Sequence, residues 1–306
     1  MAGVGDSSHE HLAAKQMLAG GIGGALADGT MYPMMTVKSR LQVQGGSGGG
    51  ASALYMYRGP VQAIQTIVAK EGWRTFYKGY ATVTQVAPAQ ALYFGTYQAI
   101  KRYLPGGHDS PVVQFAGGIL ASLVQSTVTV PVEVIRQRQM VQTAGEGSYT
   151  GSLHTARSIY QYEGVGAFYR GFLLNQMVWV PFNAVYLPLW EASKRACARF
   201  SGAGSVEKLD VRYELGSAFL CSAFAAGLTN PMDVIKTRLQ VQGKSNVHST
   251  TEYSGAWDAA RTIYKHEGMG GFARGMTSRM LWVAPSAMIM FTTYDQMMKW
   301  LAHDAT

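Results

Sequence analysis

A threefold internal repeat constrains the fold of this chain more than any other feature of the sequence. A segment that starts with proline and carries basic and glutamine side chains, with an acidic residue in the second and third copies, occurs three times: Pro33-MMTVKSRLQVQ, Pro131-VEVIRQRQMVQ and Pro231-MDVIKTRLQVQ. The copies recur at intervals of about 100 residues, which is too long for one unit of a solenoid. The sequence therefore predicts three related units of similar length.

Two further motifs follow the first one in every copy and in the same order. One places an acidic residue and glycine before an aromatic or small residue, a base and a second glycine: Glu71-GWRTFYKG, Glu163-GVGAFYRG and Glu267-GMGGFARG. The other surrounds a second proline: Val86-APAQALYF, Trp179-VPFNAVYL and Val283-APSAMIMF. Agreement of three motifs in three copies excludes chance. We predict repeats over 13–107, 108–205 and 206–306.

Each repeat is predicted to contain two long helices with a short amphipathic helix between them. The long segments have few charges and cover roughly 20 residues, enough to cross a ~30 Å membrane core at about 1.5 Å per residue. Their polar side chains are typical of helices that face lipid on one side and water on the other. The alternative is six buried helices of a soluble protein. The long segments are 17–36, 81–100, 112–132, 172–189, 216–232 and 276–293, and the short helices are 61–70, 153–162 and 256–266.

Proline and glycine mark the predicted kinks and ends of these helices. The first long helix of each repeat runs through the first proline of its copy, and a proline inside a helix removes a hydrogen bond and kinks the helix. The glycine that follows the acidic residue is predicted to end the short helix, because glycine is favoured just after a helix C-terminus.

Composition excludes several classes of protein. Charged residues make up 14% of the chain and hydrophobic residues 47%, whereas soluble proteins carry ~25% charged residues. A disordered chain is excluded, because disorder requires low hydrophobicity and high charge density. The net charge is +8, but the basic residues are scattered, so no nucleic-acid partner is indicated. Two cysteines, Cys197 and Cys221, are too few for a disulfide scaffold or a cysteine-rich metal site.

Catalytic motifs are not evident in the sequence. The glycine-rich Gly21-IGGAL has neither the preceding strand nor the closing lysine of a phosphate-binding loop. We therefore expect no enzymatic activity, no cofactor and no metal site. Residues 1–16 contain acids and histidines without an apolar core, which differs from a secretory signal or an arginine-rich transit peptide.

The three motifs resemble those of the mitochondrial carrier family, and the resemblance extends over residues 13–301. The family pattern is proline, an acid and two bases, then acid-glycine and aromatic-base-glycine, repeated three times. It implies an all-α membrane protein with six transmembrane helices in three pseudo-threefold repeats and three short matrix helices. It also implies a monomeric, multi-pass transporter of the mitochondrial inner membrane that works by alternating access. The implied partners are a small-molecule solute and membrane lipid, including cardiolipin.

The acid and the base of the first motif form an i, i+3 pair, so both lie on nearly one face of their helix. Three such helices around an axis would place the charges in a ring, which resembles the matrix gate of the family. The resemblance also implies that Gln42 and Gln240 brace this ring, whereas the second copy has Met140. The predicted ring contains the pairs Lys38–Glu133 and Arg136–Asp233, with Lys236 facing Met35.

The opposite, cytoplasmic gate of the family uses an aromatic residue, an acid and a base. The implied pairs are Lys101–Glu191 and Lys194–Asp295, with Met298 facing Gln98. Both predicted gates therefore lack a pair where repeat three meets repeat one. We expect this weaker junction to lower the barrier to conversion between states, and sequence drift with compensation elsewhere is the alternative.

Asp28 is the first candidate for binding the solute. It lies about two turns from Met35 on nearly the same helix face. An acid in a membrane helix is usually functional, so Asp28 is predicted to hold a cationic group of the solute or a coupled proton. The alternative is a structural partner for Lys236 or Arg279, and Arg279 is itself a candidate for the solute site.

The solute-contact positions of the family precede the second proline of each copy. Here they are occupied by Gln85, by Val178 with Trp179, and by Trp282. Two indoles and a valine disfavour a highly anionic solute, because many carriers of anions or nucleotides have arginine there. An indole can stack on a flat ring or a cation, and packing between helices is the alternative.

Local strings are similar to those of two groups within the family. APAQALYF and ARGMTSRML are similar to mitoferrin segments, and VPFNAVYLPLWE is similar to S-adenosylmethionine carriers. We expect a zwitterionic or cationic metabolite, such as an amino acid or an S-adenosylmethionine-like compound. Mitoferrin-like iron import is one alternative, and a non-transporting carrier-like scaffold is another. Some family members work in peroxisomes or plastids, which leaves another organelle as a possible location.

Overall fold

A computed structural model describes residues 4–44, 57–103, 111–142, 149–201, 209–243 and 253–303. Every regular element in these ranges is a helix, which agrees with the all-α prediction. The α-helices are α1 (Val4–Val43), α2 (Pro60–Glu71), α3 (Val86–Tyr103), α4 (Pro111–Val141), α5 (Ser152–Glu163), α6 (Phe172–Phe200), α7 (Val211–Leu228), α8 (Asn230–Val241), α9 (Ala256–Glu267), α10 (Met269–Phe272) and α11 (Met276–His303). Side chains are described from residue 19 onward, except at 86, 87, 90, 94, 98, 101–103, 111–116, 291, 294, 295, 298, 299 and 301–303.

The short helices α2, α5 and α9 form where the amphipathic segments were predicted. Each ends at the glycine that follows the acidic residue of the second motif. At Gly72 the backbone φ is 83°, and its amide donates to the carbonyls of Ile67 and Val68. Glycine adopts this left-handed conformation without a steric penalty. The predicted ends of the short helices are therefore confirmed.

The first long helix behaves differently in the third repeat. Helices α1 and α4 continue through Pro33 and Pro131, but the third copy breaks at Thr229 into α7 and α8, with a bend of 63°. The prediction of one long kinked helix is wrong there. The reason lies in side chains that hold the broken backbone: Asn230 donates to the carbonyls of Phe272 and Arg274, and Arg279 donates to the carbonyl of Thr229.

Each short helix packs on the first long helix of its own repeat. In repeat one, Ala63 and Ile67 of α2 are buried against Val37 and Leu41 of α1. The equivalent clusters join α5 to α4 in repeat two and α9 to α8 in repeat three. Burial of this apolar face stabilises the short helices, because isolated helices of about 12 residues are marginal in water.

The chain divides into two compact units. The first comprises 1–30, 83–129 and 288–306, and there a Cβ at Gly117 of α4 would lie 3.3 Å from Cγ2 of Ile100. The second comprises 31–82 and 130–287, and it contains the charged segments of all three repeats. By length and hydropathy, one described helical segment, Gly117–Val141, qualifies as a membrane span, and the bent pair α7 and α8 qualifies when taken together.

Candidate functional site: a ring of buried charges

Two buried ion pairs connect the three repeats within the second unit. The Nζ atom of Lys38 lies 2.6 Å from Oδ2 of Asp233, and Nζ of Lys236 lies 2.8 Å from Oε1 of Glu133. The first pair connects repeat one to repeat three, and the second connects repeat three to repeat two. We call the six positions 35, 38, 133, 136, 233 and 236 the gate ring.

The predicted pairing in the gate ring is wrong in its direction. The repeat pattern predicted the pairs Lys38–Glu133 and Arg136–Asp233, whereas the structure pairs each lysine with the acid of the preceding repeat in the cycle. The same cyclic order places Arg136 opposite Met35, so the missing acid belongs to the junction of repeats one and two. The predicted weak junction between repeats three and one is therefore wrong for this ring, whereas its counterpart in the predicted cytoplasmic gate, Met298 facing Gln98, lies outside the described side chains.

The junction of repeats three and one carries additional contacts around Asp233. Gln42 donates from Nε2 to Oδ2 of Asp233 at 2.7 Å and accepts from the hydroxyl of Thr237 at 2.9 Å. Nη1 of Arg279 lies 3.6 Å from the same carboxylate oxygen. A glycine makes room for Gln42, because a Cβ at Gly275, where φ is 72°, would lie 2.7 Å from Cγ of Gln42.

The equivalent positions at the other two junctions lack this bracing. The side-chain amide of Gln240 is fully buried and has no hydrogen-bond partner among the described residues. Met140 occupies this position in the second repeat, and its sulfur accepts a weak hydrogen bond from the hydroxyl of Ser39 at 3.7 Å. Among the described residues, the glutamine brace is therefore seen at the junction of repeats three and one.

The position six residues before the second proline of each repeat is occupied by Thr82, Asn175 and Arg279. Two of these side chains contact the gate ring. Asn175 of α6 accepts from Lys236 at 2.7 Å, and Arg279 of α11 contacts Asp233. Thr82 holds the equivalent register in repeat one, and its hydroxyl donates to the carbonyl of Gly79. Asn175 was not predicted from the sequence. Asn175 and Arg279 each lie six residues before the second proline of their repeat, and this common spacing could have identified Asn175.

A second layer of charges lies next to the gate ring. In each repeat the last arginine of the first motif is buried and binds the glutamate of the second motif through two nitrogen atoms. The same arginine donates to two backbone carbonyls at the end of the next repeat's first long helix, for example from Arg40 to Met140 and Gln142. Such two-pronged guanidinium–carboxylate pairs are strong and directional. The three repeats are thereby interlocked in a cycle.

The second base of this layer differs between repeats. Arg170 lies 2.8 Å from Glu163 and donates to the carbonyl of Gln242, and Arg274 likewise contacts Glu267 and the carbonyl of Gln44. Repeat one has Lys78 at this position. A lysine provides a point charge where arginine provides a planar fork.

The predicted solute-contact residues have different surroundings. Trp282 lies with its ring centroid 5.5 Å from Nζ of Lys38, while Trp179 is 40% exposed and packs edge-on against Phe182. Val178 is buried at 2% exposure. In the first unit, Gln85 and Asp28 are both partly exposed.

The cytoplasmic-gate prediction lies mostly outside the described residues. The side chains of Lys101 and Asp295, and of Gln98 and Met298, are not among them. Glu191 is exposed. Nζ of Lys194 lies 3.9 Å from the ring centroid of Trp190, a distance typical of a cation–π contact. Within the described part of the chain, no group of three or more His, Cys, Asp or Glu side chains is placed to hold a metal ion.

The fold and the ring together define a class of protein. Three helical repeats are connected by two buried ion pairs, and the long helices include segments apolar enough to cross a membrane. Ion pairs of this kind can break and form again, because their attraction is largely offset by the cost of desolvation. This arrangement is that of a helical membrane carrier built from repeats.

Sequence comparison identifies the family. The family model described as "Mitochondrial carrier protein" matches residues 9–108, 107–201 and 207–305. The chain therefore belongs to the mitochondrial carrier family, whose members are solute transporters of the mitochondrial inner membrane and not enzymes.

Several relatives match over nearly the whole chain. Mitochondrial substrate carrier family protein E of Dictyostelium discoideum is 35% identical and covers 94% of this chain and 96% of its own. A Mitoferrin of Caenorhabditis briggsae is 30% identical, with 96% of each chain covered. S-adenosylmethionine carrier 1, chloroplastic/mitochondrial, of Arabidopsis thaliana is 32% identical over 93% of this chain and 78% of its own.

Proposed function

We propose that this protein is a secondary transporter that moves a small zwitterionic or cationic metabolite across the mitochondrial inner membrane by alternating access. Amino acids and S-adenosylmethionine-like compounds are the first candidates. Membership of a family of solute carriers supports the transport reaction. The similarity to an S-adenosylmethionine carrier supports the solute class.

The gate ring is the observation that carries this proposal. Its two ion pairs connect the three repeats, and the paired side chains are at most 15% exposed. A buried pair contributes little net stability when intact, since desolvation offsets the attraction, but opening it without compensation costs about 3–5 kcal/mol. A bound solute that contributes comparable contacts would make opening feasible. Conversion between states would then depend on the solute.

Six membrane-spanning helices and a monomeric state complete the proposal. Three repeats with two long helices each would provide six spans, and the polar ring would lie in the interior, because charged side chains in membranes face protein or water. Membrane lipid, including cardiolipin, is the proposed partner outside the transport path. The proposed location is the mitochondrial inner membrane, as for other family members.

Two alternative functions differ from the proposed transport of a zwitterionic or cationic metabolite. Iron import is favoured by the 30% identity to a Mitoferrin over 96% of the chain. A non-transporting scaffold would conserve the repeats without moving any solute. The gate ring with its two intact pairs favours a working transporter over the scaffold.

The proposal is tested by ligand-induced thermal stabilisation of the purified full-length protein. A bound solute raises the unfolding temperature by mass action, so a panel of amino acids, S-adenosylmethionine, ferrous iron and di- or tricarboxylates separates the alternatives. Hits are then tested as saturable uptake into proteoliposomes. We expect stabilisation by a zwitterionic or cationic solute and its loss in Asp28→Asn, with Asp258→Asn on α9 as the matched control. Stabilisation by iron alone or by multiply charged anions alone would contradict the solute class, and uptake of no solute would support the scaffold.

A further inference from the structure

We propose that Lys38, Arg279 and Trp282 bind the carboxylate group of the transported solute. The solute is then a zwitterion with a carboxylate, rather than a simple cation. This inference rests on the proposed transport function and narrows its solute class. We call the three residues the donor cluster.

The cationic side chains around Asp233 outnumber its single negative charge. Oδ2 of Asp233 accepts from Lys38 at 2.6 Å and from Gln42 at 2.7 Å, and Nη1 of Arg279 approaches it at 3.6 Å. Lys38, Asp233 and Arg279 are all buried, with exposures of 6%, 5% and 3%. Two buried cations therefore share one carboxylate, which leaves an excess positive charge at this point of the ring.

Among the described residues, the acceptors of Arg279 other than that shared carboxylate are neutral. Its Nη1 donates to the carbonyl of Thr229 at 2.9 Å and its Nη2 to the hydroxyl of Thr229 at 2.8 Å. A guanidinium is a planar fork that matches the two oxygens of a carboxylate. Arg279 is thus held in place by Thr229 while its charge remains incompletely matched.

Trp282 contributes an unused donor one helical turn from Arg279 on α11. Its indole Nε1 is buried and has no hydrogen-bond partner among the described residues. Leaving a buried donor unsatisfied is costly, and such groups in native structures call for an explanation, such as a ligand that is absent. An incoming acceptor would satisfy it.

The position of Lys38 also restricts what Trp282 can bind. Nζ of Lys38 lies 5.5 Å from the centroid of the indole ring, so a cation of the protein itself already lies over one face of this ring. An anionic group at the indole N–H of Trp282 fits these neighbours better than a second cation stacked on the ring. The cationic group of the zwitterion would bind outside the donor cluster.

This arrangement couples binding to opening of the ring. A solute carboxylate offers about four acceptor sites, and it would compete with Asp233 for Lys38 and Arg279. The ion pair between repeats three and one would then weaken while the solute is bound, because the solute replaces part of its electrostatic energy. A ligand shifts a conformational equilibrium only through such a difference in interaction between the two states.

The inference is tested with probes that differ only in the carboxylate. Proteoliposomes containing the full-length protein are assayed with the L-amino acids and S-adenosylmethionine, and then with their carboxamides and decarboxylated forms. We expect saturable uptake of at least one carboxylate-bearing probe and at least tenfold weaker uptake of its carboxamide and its decarboxylated form. Equal uptake of the amide or the amine overturns the inference while leaving the transport function standing. Uptake of no probe overturns both.

Variants then locate the carboxylate. Trp282→Phe keeps an aromatic ring and removes the N–H, and we expect it to raise the half-saturation concentration about tenfold for the carboxylate probe and by less for the amide. Trp257→Phe is the matched control, since Trp257 lies on α9 and is 83% exposed. Unfolding temperatures without solute verify that each variant folds, and Arg279→Lys, which keeps the charge but not the fork, provides a second variant. Unchanged half-saturation in both variants overturns the assignment.

Discussion

The junction of repeats three and one and the junction of repeats one and two are built from equivalent positions but contain different chemistry. At the first, Asp233 binds Lys38, Gln42 and Arg279. At the second, the acid is replaced by Met35 and the glutamine by Met140. The second unit therefore has one strongly braced junction and one whose equivalent positions carry thioethers.

The difference continues into the second layer. Arg274 supports the braced junction through Glu267 and the carbonyl of Gln44, whereas repeat one has Lys78 in the equivalent position. Three departures from the repeat pattern thus fall at one junction and none of them at the braced one. Three similar sequence repeats need not form three junctions of equal stability. We expect the gate ring to open first where repeats one and two meet, and the following predictions test that difference.

The largest expected effect is the loss of Asp233. Asp233→Asn keeps the shape but removes the charge that Lys38 and Arg279 share, and breaking a buried pair costs about 3–5 kcal/mol. We expect a large fall in unfolding temperature in detergent. Glu133→Gln removes the carboxylate that binds Lys236, but Asn175 still accepts from this lysine, so its fall should be smaller. Equal falls in the two variants would show that the extra contacts of Asp233 contribute nothing.

The two glutamines of the repeat pattern should respond differently to the same substitution. Gln42→Met removes a hydrogen bond to a charged group, which costs about 1.5–3 kcal/mol. Gln240→Met removes an amide that is buried without a described partner, so the change should be near zero or stabilising. Thermal unfolding of both variants measures the difference. A greater loss for Gln240→Met would reverse our comparison of the junctions.

Restoring the missing acid should reduce the difference between the junctions. Met35→Asp adds a carboxylate opposite Arg136 in the cyclic order, and a barrier higher by about 1.4 kcal/mol slows transport tenfold. We expect slower uptake at saturating solute together with a higher unfolding temperature. Met35→Leu is the control and should retain the original rate. A Met35→Asp carrier that is as fast as the Leu variant would argue against a role for this junction in setting the rate.

The smallest expected effect concerns the second layer. Lys78→Arg would give repeat one the guanidinium that the other two repeats have, with Glu71 and the carbonyl of Gln142 as its partners. Partly exposed ion pairs are worth about 0.2–1 kcal/mol, so the unfolding temperature should rise by a few degrees at most. Lys265→Arg, at an exposed position of α9, should leave it unchanged. A fall in Lys78→Arg would mean that the junction cannot accommodate the larger group.

Much of the fold followed from local patterns in the sequence. The short helices end where glycine was predicted to end them, because the left-handed conformation is intrinsic to that residue. The break at Thr229 was not predicted, since all three copies have the same proline. It depends on Asn230 and Arg279, whose partners lie far away in the chain.

The candidate site was likewise determined partly by the sequence and partly by the tertiary structure. The sequence alone determined which residues belong to the gate ring, because an i, i+3 spacing on a helix places an acid and a base on one face whatever surrounds it. It did not determine which acid each base would bind, since each base has two neighbouring repeats and Lys38 has an acid at the equivalent position in both of them. Only the tertiary structure decided between the two directions around the cycle, by bringing Lys38 to Asp233 and Lys236 to Glu133. That choice moved the missing acid to the junction of repeats one and two, because ion pairing acts over a few ångströms in space and not along the chain.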